Sequence, residues 1–361
     1  MCGFPDTLII VKVDANNLPL LNMTWIYDNT ETYTFITGGR GIGKTFGALL
    51  TVIQRNIPFL FMRRTQTQID MLKNDDMNPF KALEYEYGDR YRFTMRKINK
   101  NITGVYRTEF NEEKQIYEPY GEPLGYMVRL STIRNLRGWN AEKIQGLIVD
   151  EFIGEKHERP IPEERHAFLN AIETIARNRE LKGLEPMKVL ALSNSNMLAN
   201  PLFIELQLVT VCEKMLKNGQ QIKSFPNRSL TMILLDKTPI GERKAQTSLY
   251  RLAGEHSDFT RMALDNEFTR EEMLDIASRN LKEYRPITIV GEIAIYKHKS
   301  KKLWYVCGHQ SGTVPQYETS PMELKRFTRD HYSIWLAYLN RRIEFESYMY
   351  KALLEKYFNI W

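Results

Sequence analysis

Residues 38–45 combine the residue types and the spacing that bind phosphate groups. They read G-G-R-G-I-G-K-T and match the pattern G-x-x-x-x-G-K-[ST]. Glycines let the backbone turn so tightly that its N–H groups point at phosphate oxygens, and the dipole of a following helix adds positive potential. The residues that we predict to surround the phosphates of a nucleotide are Gly38, Gly39, Arg40, Gly41, Ile42, Gly43, Lys44 and Thr45.

Two side chains at the end of this loop have separate predicted roles. Lys44 is expected to contact the β- and γ-phosphates as a point charge, and the Thr45 hydroxyl is expected to bind Mg²⁺. The pattern therefore predicts ATP and Mg²⁺ as ligands. The alternative is a glycine-rich turn before an ordinary helix, which gives no reason for the ending Gly-Lys-Thr.

A second pair of chemically competent residues follows a short apolar run. Leu147, Ile148 and Val149 precede Asp150 and Glu151. An aspartate at the carboxyl end of a buried strand can hold Mg²⁺, and Glu151 is positioned to polarise an attacking water as a general base. We expect this pair at the tip of a strand next to the phosphate-loop strand. A plain strand end is the alternative.

The surrounding segments predict the elements that must position these residues. Residues 33–37 are β-branched and aromatic, and the residues after the loop have helical spacing, which gives the required order of strand, loop and helix. Apolar runs at 58–62, 187–192 and 231–235 are typical of buried parallel strands.

Polar residues follow two of these runs. The run at 187–192 ends in Ser193 and Asn194, and Asn194 is predicted to report whether the γ-phosphate is present, with an asparagine in a turn as the alternative. Arg63 and Arg64 follow the run at 58–62. They are interpreted either as contacts to nucleotide or DNA or as solvated charges at a strand end.

The chain divides into three predicted regions. Residues 1–236 form an ATPase domain, residues 237–285 form a charged helical linker, and residues 286–361 form a small C-terminal domain. The last region begins with an alternating pattern and a basic hairpin turn and is expected to close with one aromatic-rich helix from residue 321.

Composition favours a polyanionic partner and argues against a membrane protein. The chain has 361 residues, 50 Lys plus Arg against 44 Asp plus Glu, and a net charge of +6. Its three cysteines lack metal-ligand spacing, which indicates a reducing compartment without structural zinc. No window approaches the roughly 18 uninterrupted apolar residues of a membrane span, so we predict a soluble protein without membrane contact.

Taken together, five stretches resemble one protein family. They are residues 39–45, 148–153, 177–180 (R-N-R-E), 192–194 (L-S-N) and, more weakly, 264–268 (L-D-N-E-F). The sequence resembles the genome-packaging motor ATPases of small tailed bacteriophages, the phi29-type relatives of terminase large subunits. This resemblance implies an α/β fold: a P-loop ATPase domain of the ASCE type with a mostly parallel sheet, a helical linker, and a small α+β C-terminal domain similar to a degenerate RNase-H-like nuclease.

The resemblance also implies partners and further site residues. It implies a homo-oligomeric, pentameric ring that drives double-stranded DNA through the portal of a procapsid, in the host cytoplasm, with a packaging RNA left open as a partner. Arg177 corresponds to the arginine finger that reaches the nucleotide of a neighbouring subunit, with Arg179 in reserve. Arg137 corresponds to a second residue acting on the neighbour.

The C-terminal region departs from nuclease relatives. Residues 287–296 offer Glu292 without an acidic partner at useful spacing, so we expect nucleic-acid docking rather than nuclease activity. The alternatives to a packaging motor are a P-loop helicase or replication initiator acting on DNA and a non-motor P-loop kinase. Glu151 favours attack by water over transfer to a substrate.

Overall fold

The structure is a computed structural model that describes residues 10–12, 19–65, 69–70, 78–136, 139, 141–154, 164–194, 198, 200–235, 239–254, 260 and 275–358. The chain forms two compact units. Unit 1 comprises Met1–Asn196 and Met215–Glu267, and unit 2 comprises Met197–Lys214 and Phe268–Trp361. The predicted boundaries at residues 236 and 285 stay predictions.

The described strands and helices of unit 1 have the following bounds. Its strands are β1 (Ile10–Lys12), β2 (Pro19–Leu21), β3 (Tyr33–Gly38), β4 (Phe59–Arg63), β5 (Phe93–Lys97), β6 (Thr103–Asn111), β7 (Ile116–Arg129), β8 (Gly146–Asp150), β9 (Lys188–Ser193), β10 (Ile222–Phe225) and β11 (Leu230–Leu235). Its helices are α1 (Met23–Asn29), α2 (Lys44–Gln54), α3 (Lys81–Tyr87), α4 (Glu164–Ala176), α7 (Pro239–Ala245) and α8 (Ser248–Ala253). Two helices lie between α4 and α7 in the sequence. Helix α5 (Pro201–Glu205) and the first residues of α6 (Val209–Lys217) belong to unit 2.

A large sheet organises unit 1. Its strand order among the described residues is β10-β11-β3-β9-β8-β4-β7-β6-β5. The six strands from β11 to β7 run parallel, and antiparallel strands extend the sheet at both edges. The predicted α/β fold with a mostly parallel sheet is confirmed. All five residues of β8 and all six of β11 are buried, which explains why most of their residues are apolar.

The order of the central strands corrects one expectation. β9 pairs with β3 on one side and with β8 on the other. The strand that carries the phosphate loop and the strand that carries Asp150 are therefore not neighbours, and the prediction of adjacent strand tips was wrong. Both strands nevertheless run in the same direction, so their carboxyl ends lie at one edge of the sheet.

Helix α2 holds the phosphate loop against the core. It begins at Lys44 directly after the loop, and its residues Leu49 and Val52 are fully buried in a cluster with Ile36 of β3 and Ile148 of β8. Because one apolar face packs on both strands, the helix fixes its amino end at the tip of the sheet.

Unit 2 contains an α+β arrangement. Its five described strands have the order β15-β12-β13-β14-β16, with bounds β12 (Tyr284–Val290), β13 (Ile293–His298), β14 (Trp304–Cys307), β15 (Gln316–Tyr317) and β16 (Ile343–Phe345). The pairs β12–β13 and β13–β14 are antiparallel, which confirms the predicted small α+β region.

The predicted single C-terminal helix was wrong. The segment forms α9 (Pro321–Asp330), α10 (Tyr332–Leu339) and α11 (Tyr348–Phe358), with β16 between the last two. Arg341 adopts a φ of 53°, a left-handed conformation that ends a helix. No described helix is both long and apolar enough to cross a membrane.

Candidate functional site

The phosphate loop has a backbone that requires glycine. Gly41 and Gly43 have φ angles of +80° and +81°, which side chains disfavour. A Cβ on Gly38 would lie 2.9 Å from the Leu235 Cβ, and a Cβ on Gly43 would lie 3.2 Å from the Leu20 side chain. Glycine therefore lets the loop turn tightly and pack closely on Leu235 and Leu20, and such a glycine-rich loop is the backbone that phosphate binding requires.

Lys44 lies under this cradle. Its side chain is buried, and Nζ donates hydrogen bonds to the carbonyls of Gly38 at 2.7 Å and Gly39 at 2.9 Å. Burial lowers the pKa of Lys44 to about 7, the negative charge of Asp150 opposes this shift, and Lys244 and Arg40 add to it. The ammonium is thus poorly solvated and would gain from an anion such as phosphate.

Thr45 and Asp150 meet at the same edge of the sheet. The Thr45 Oγ1 donates a hydrogen bond of 2.8 Å to Oδ1 of Asp150. Two neighbouring ligands of an octahedral Mg²⁺ lie about 2.9 Å apart, since each is about 2.0–2.1 Å from the ion. The oxygen donors and their separation therefore fit a magnesium ion that these two residues would hold.

Arg63 forms an ion pair with the other carboxylate oxygen of Asp150, Oδ2. Its Nε and Nη2 donate to Oδ2 at 3.0 and 2.7 Å, and the aspartate is 3% exposed. The interpretation of Arg63 as a solvated strand-end charge was wrong, because this arginine orients the carboxylate so that Oδ1 faces Thr45. Arg64 is also buried.

Glu151 and Asn194 complete the edge. Glu151 follows β8 with a φ of 56°, a left-handed conformation that is unusual for glutamate and is often found at functional sites. Its negative charge and that of Asp150 both act on Lys44. Asn194 follows Ser193, whose Cα is paired with that of Thr37 at the end of β3, so it lies at the strand tip between the loop and the carboxylates.

The two arginines of the R-N-R-E stretch have different surroundings. Arg179 is buried and donates from Nη1 to the carbonyls of Glu142 and Ile144 at 2.9 and 2.8 Å, and from Nε to the carbonyl of Glu185 at 2.8 Å. Arg177 is half-buried with a φ of 44°. Among the described residues its guanidinium has no hydrogen-bond or ion-pair partner. Arg137 lies outside the described residues.

Lys244 is a site residue that sequence reasoning missed. It belongs to α7, and its Nζ donates a hydrogen bond to the carbonyl of Arg40 in the phosphate loop. The two residues are 204 positions apart. A lysine in a charged helix gives no local signal of this contact, although the preceding strand β11 pairs with the phosphate-loop strand.

We expect nucleotide affinity to fall as pH rises above about 7. Below that pH Lys44 is already charged, whereas above it the lysine must take up a proton before it can bind phosphate. Linkage then predicts uptake approaching one proton and a loss of affinity of up to about tenfold per pH unit. Titration calorimetry of Mg-ATP at pH 7.0 and 8.5, in buffers of different ionisation enthalpy, measures both quantities. An affinity independent of pH between 7 and 9 would contradict the lowered pKa.

Replacing Arg179 by alanine is expected to destabilise the protein by about 3 kcal/mol, because the buried carbonyl of Ile144 and two partly buried carbonyls lose their donor. The matched change Arg177→Ala should alter the free energy of unfolding by less than about 0.5 kcal/mol. Chemical denaturation of the two variants measures the difference. Similar stabilities would show that the hydrogen bonds of Arg179 are not a structural anchor.

Comparison with known proteins finds similarity to phage DNA-packaging proteins. A family model described as Podovirus DNA encapsidation protein (Gp16) matches residues 21–305. The DNA packaging protein of Bacillus phage phi29 is 24% identical over 252 residues, which cover 68% of this chain and 65% of the relative. The match thus spans just under two thirds of that relative's length. The DNA packaging protein of Bacillus phage PZA matches to the same extent.

Two solved structures share the fold. The bacteriophage Phi-29 viral genome packaging motor assembly contains a chain with a TM-score of 0.62 and 18% identity, covering 94% of this chain and 98% of the other. The Phi-28 gp11 DNA packaging motor gives a TM-score of 0.59 at 18% identity, covering 93% and 97%. At such identities the likeness concerns the fold alone.

Proposed function

The chain belongs to the family of Podovirus DNA encapsidation proteins (Gp16), and from this membership we propose that it is an ATPase that drives double-stranded viral DNA into a procapsid. The phi29-type resemblance is thereby confirmed at the level of the family. Activity, substrate and partners are the proposal, which combines the family description with the chemistry of the site.

One observation carries the proposal. The phosphate loop, Thr45 and Asp150 meet at one edge of the sheet, with 2.8 Å between the Thr45 hydroxyl and the carboxylate. A Gly-rich cradle, a buried lysine and a pair of oxygen donors form the arrangement that binds a nucleoside triphosphate with its metal. An ordinary turn before a helix would not bring a hydroxyl to a carboxylate 105 residues away.

Each residue has a task in this proposal. The backbone of residues 38–45 and the side chain of Lys44 bind and orient the phosphates of ATP, while Thr45 and Asp150 hold Mg²⁺. The bound ion would neutralise negative charge on the phosphates. Glu151 accepts the proton of the attacking water at its carboxylate, and Asn194 contacts the γ-phosphate from the tip of β9. Arg63 keeps Asp150 in the orientation that leaves Oδ1 available.

The neighbouring subunit completes the site. Arg177 is proposed to reach the nucleotide of the next subunit in a homo-oligomeric, pentameric ring, and Arg137 to act in the same direction. Among the described residues the Arg177 guanidinium makes no hydrogen bond or ion pair within its own subunit, which supports this role, as do the three hydrogen bonds that hold Arg179 in place. Hydrolysis would then depend on assembly, because an isolated subunit lacks the cation.

The proposed partners follow from the family. They are double-stranded DNA, the portal of the procapsid in the host cytoplasm and, as an open point, a packaging RNA. DNA phosphates would be held by lysine and arginine without reading of sequence, so binding should weaken as salt rises. The C-terminal region is proposed to dock nucleic acid without cutting it.

DNA packaging in vitro tests the proposal. The protein, ATP and linear double-stranded DNA are added to empty procapsids, and DNA that resists nuclease is measured. Protection should require ATP and should be lost when Lys44→Ala replaces the wild type. ATP turnover should rise more with blunt double-stranded DNA than with single strands. Stimulation by single strands alone, without protected DNA, would favour a helicase instead.

A further inference from the structure

A second lysine lies against the phosphate loop. Lys244 is in the last turn of α7, and its Nζ donates to the carbonyl of Arg40. A Cβ built on Gly41 would collide with this Nζ and would lie 3.1 Å from Cε. The ammonium is therefore packed directly on the part of the loop that precedes Gly43 and Lys44.

The charge of Lys244 is in an unfavourable environment. Burial lowers the pKa of Lys244, and the positive charge of Arg40 lowers it further. The charge of Lys244 in turn contributes to the lowered pKa of Lys44. Three cationic side chains thus act on one another around the loop, and an anion bound among them would relieve their repulsion.

We propose that Lys244 contacts the terminal phosphate of bound ATP and makes α7 respond to the presence of that phosphate. This inference rests on the proposed function, because ATP as the ligand belongs to it. The ammonium would exchange a neutral carbonyl for a charged phosphate oxygen, which forms a stronger hydrogen bond. ADP lacks the terminal phosphate, so with ADP bound the lysine keeps its hydrogen bond to the carbonyl of Arg40.

The attachment of α7 explains how such an exchange would be transmitted. Ile240 in its first turn is buried in the same core cluster as Ile36 and Leu235, so the beginning of the helix is fixed. Its last turn is attached to the loop through Lys244. A change of partner at Lys244 therefore acts on the end of α7 that leads into α8, within the predicted linker region.

Nucleotide selectivity tests the inference. Mg²⁺ complexes of ADP and of a non-hydrolysable ATP analogue are titrated into the wild type, Lys244→Ala and Arg243→Ala. Lys244→Ala should weaken binding of the analogue by about tenfold or more, since one charge-assisted hydrogen bond is lost. Binding of ADP should change by less than about twofold. Arg243→Ala removes the same charge from the neighbouring, exposed position and should alter neither affinity.

A chemical readout complements the affinities. Acetylation of the Lys244 amine, followed by mass spectrometry, should be slowed by the ATP analogue and not by ADP. The role of Lys244 would be overturned if Lys244→Ala weakened the binding of both nucleotides equally or of neither. It would also be overturned if the Lys244 amine were acetylated at the same rate with the ATP analogue and with ADP. If the wild type binds neither nucleotide, or if Lys44→Ala binds both normally, the proposed function fails and this inference with it. When the wild type binds nucleotide and Lys44→Ala does not bind it normally, the results for Lys244→Ala test the role of Lys244 and not the proposed function.

Discussion

Replacing Glu151 by glutamine is expected to produce a protein that binds ATP and fails to hydrolyse it. Glutamine keeps the size of the side chain but cannot accept a proton from water. Loss of a general base typically slows catalysis by about a hundredfold to ten-thousandfold. The residues that we assign to phosphate and metal binding are unchanged, so affinity should stay within about twofold. Steady-state turnover and equilibrium binding of ATP measure the two effects separately.

Asp150→Asn is the matched comparison for this variant. It changes the adjacent carboxylate to an amide, and it should weaken binding of Mg-ATP as well as hydrolysis, because Oδ1 faces Thr45. It also removes the ionic partner of Arg63. Turnover of Glu151→Gln within about tenfold of the wild type would assign the base elsewhere. An equal loss of nucleotide affinity in both variants would assign Glu151 to binding.

Mixing two inactive variants is expected to restore hydrolysis. Arg177→Ala alone should slow turnover by about a thousandfold or more, as removal of an arginine finger does. A subunit with Arg177→Ala keeps Glu151, and a neighbour with Glu151→Gln keeps Arg177. In a randomly assembled ring with equal amounts of both, roughly a quarter of the interfaces combine the intact residues. ATPase activity measured across mixing ratios should therefore rise to a maximum near equal amounts.

Several outcomes would contradict a finger supplied by the neighbour. Inactive mixtures would show that Arg177 acts within its own subunit, and a fully active Arg177→Ala variant would show that it does not act at all. Arg177→Lys is the control, since it keeps the charge but loses the planar donor fork. The stability of Arg177→Ala, measured as described above, separates a catalytic loss from unfolding.

Backbone geometry explains why Arg177 and not its neighbour is available for this role. Arg177 and Asn178 both adopt left-handed conformations, with φ of 44° and 57°, so helix α4 stops at Ala176. Arg179 then fastens the chain through its three carbonyl acceptors. The anchor fixes the turn, and Arg177 donates a hydrogen bond to none of those three acceptors.

The amino-acid sequence by itself determined the local parts of this protein. The phosphate loop is specified by glycines and a Gly-Lys-Thr ending, and β3, β8, β9 and β11 are specified by short apolar runs. Asp150 and Glu151 were predicted correctly as the end of a strand. These features follow from residue type and spacing within about ten positions, where backbone preference and burial act together.

Only the tertiary structure decided which of these parts meet. Strand order placed β9 between the phosphate loop and Asp150, and it brought Arg63 to the aspartate and Lys244 to the loop. The tertiary structure also showed that Arg179 is buried whereas Arg177 is half-buried. The physical reason is that pairing between distant strands and burial of distant side chains depend on the whole packed chain, so local residue patterns do not encode them.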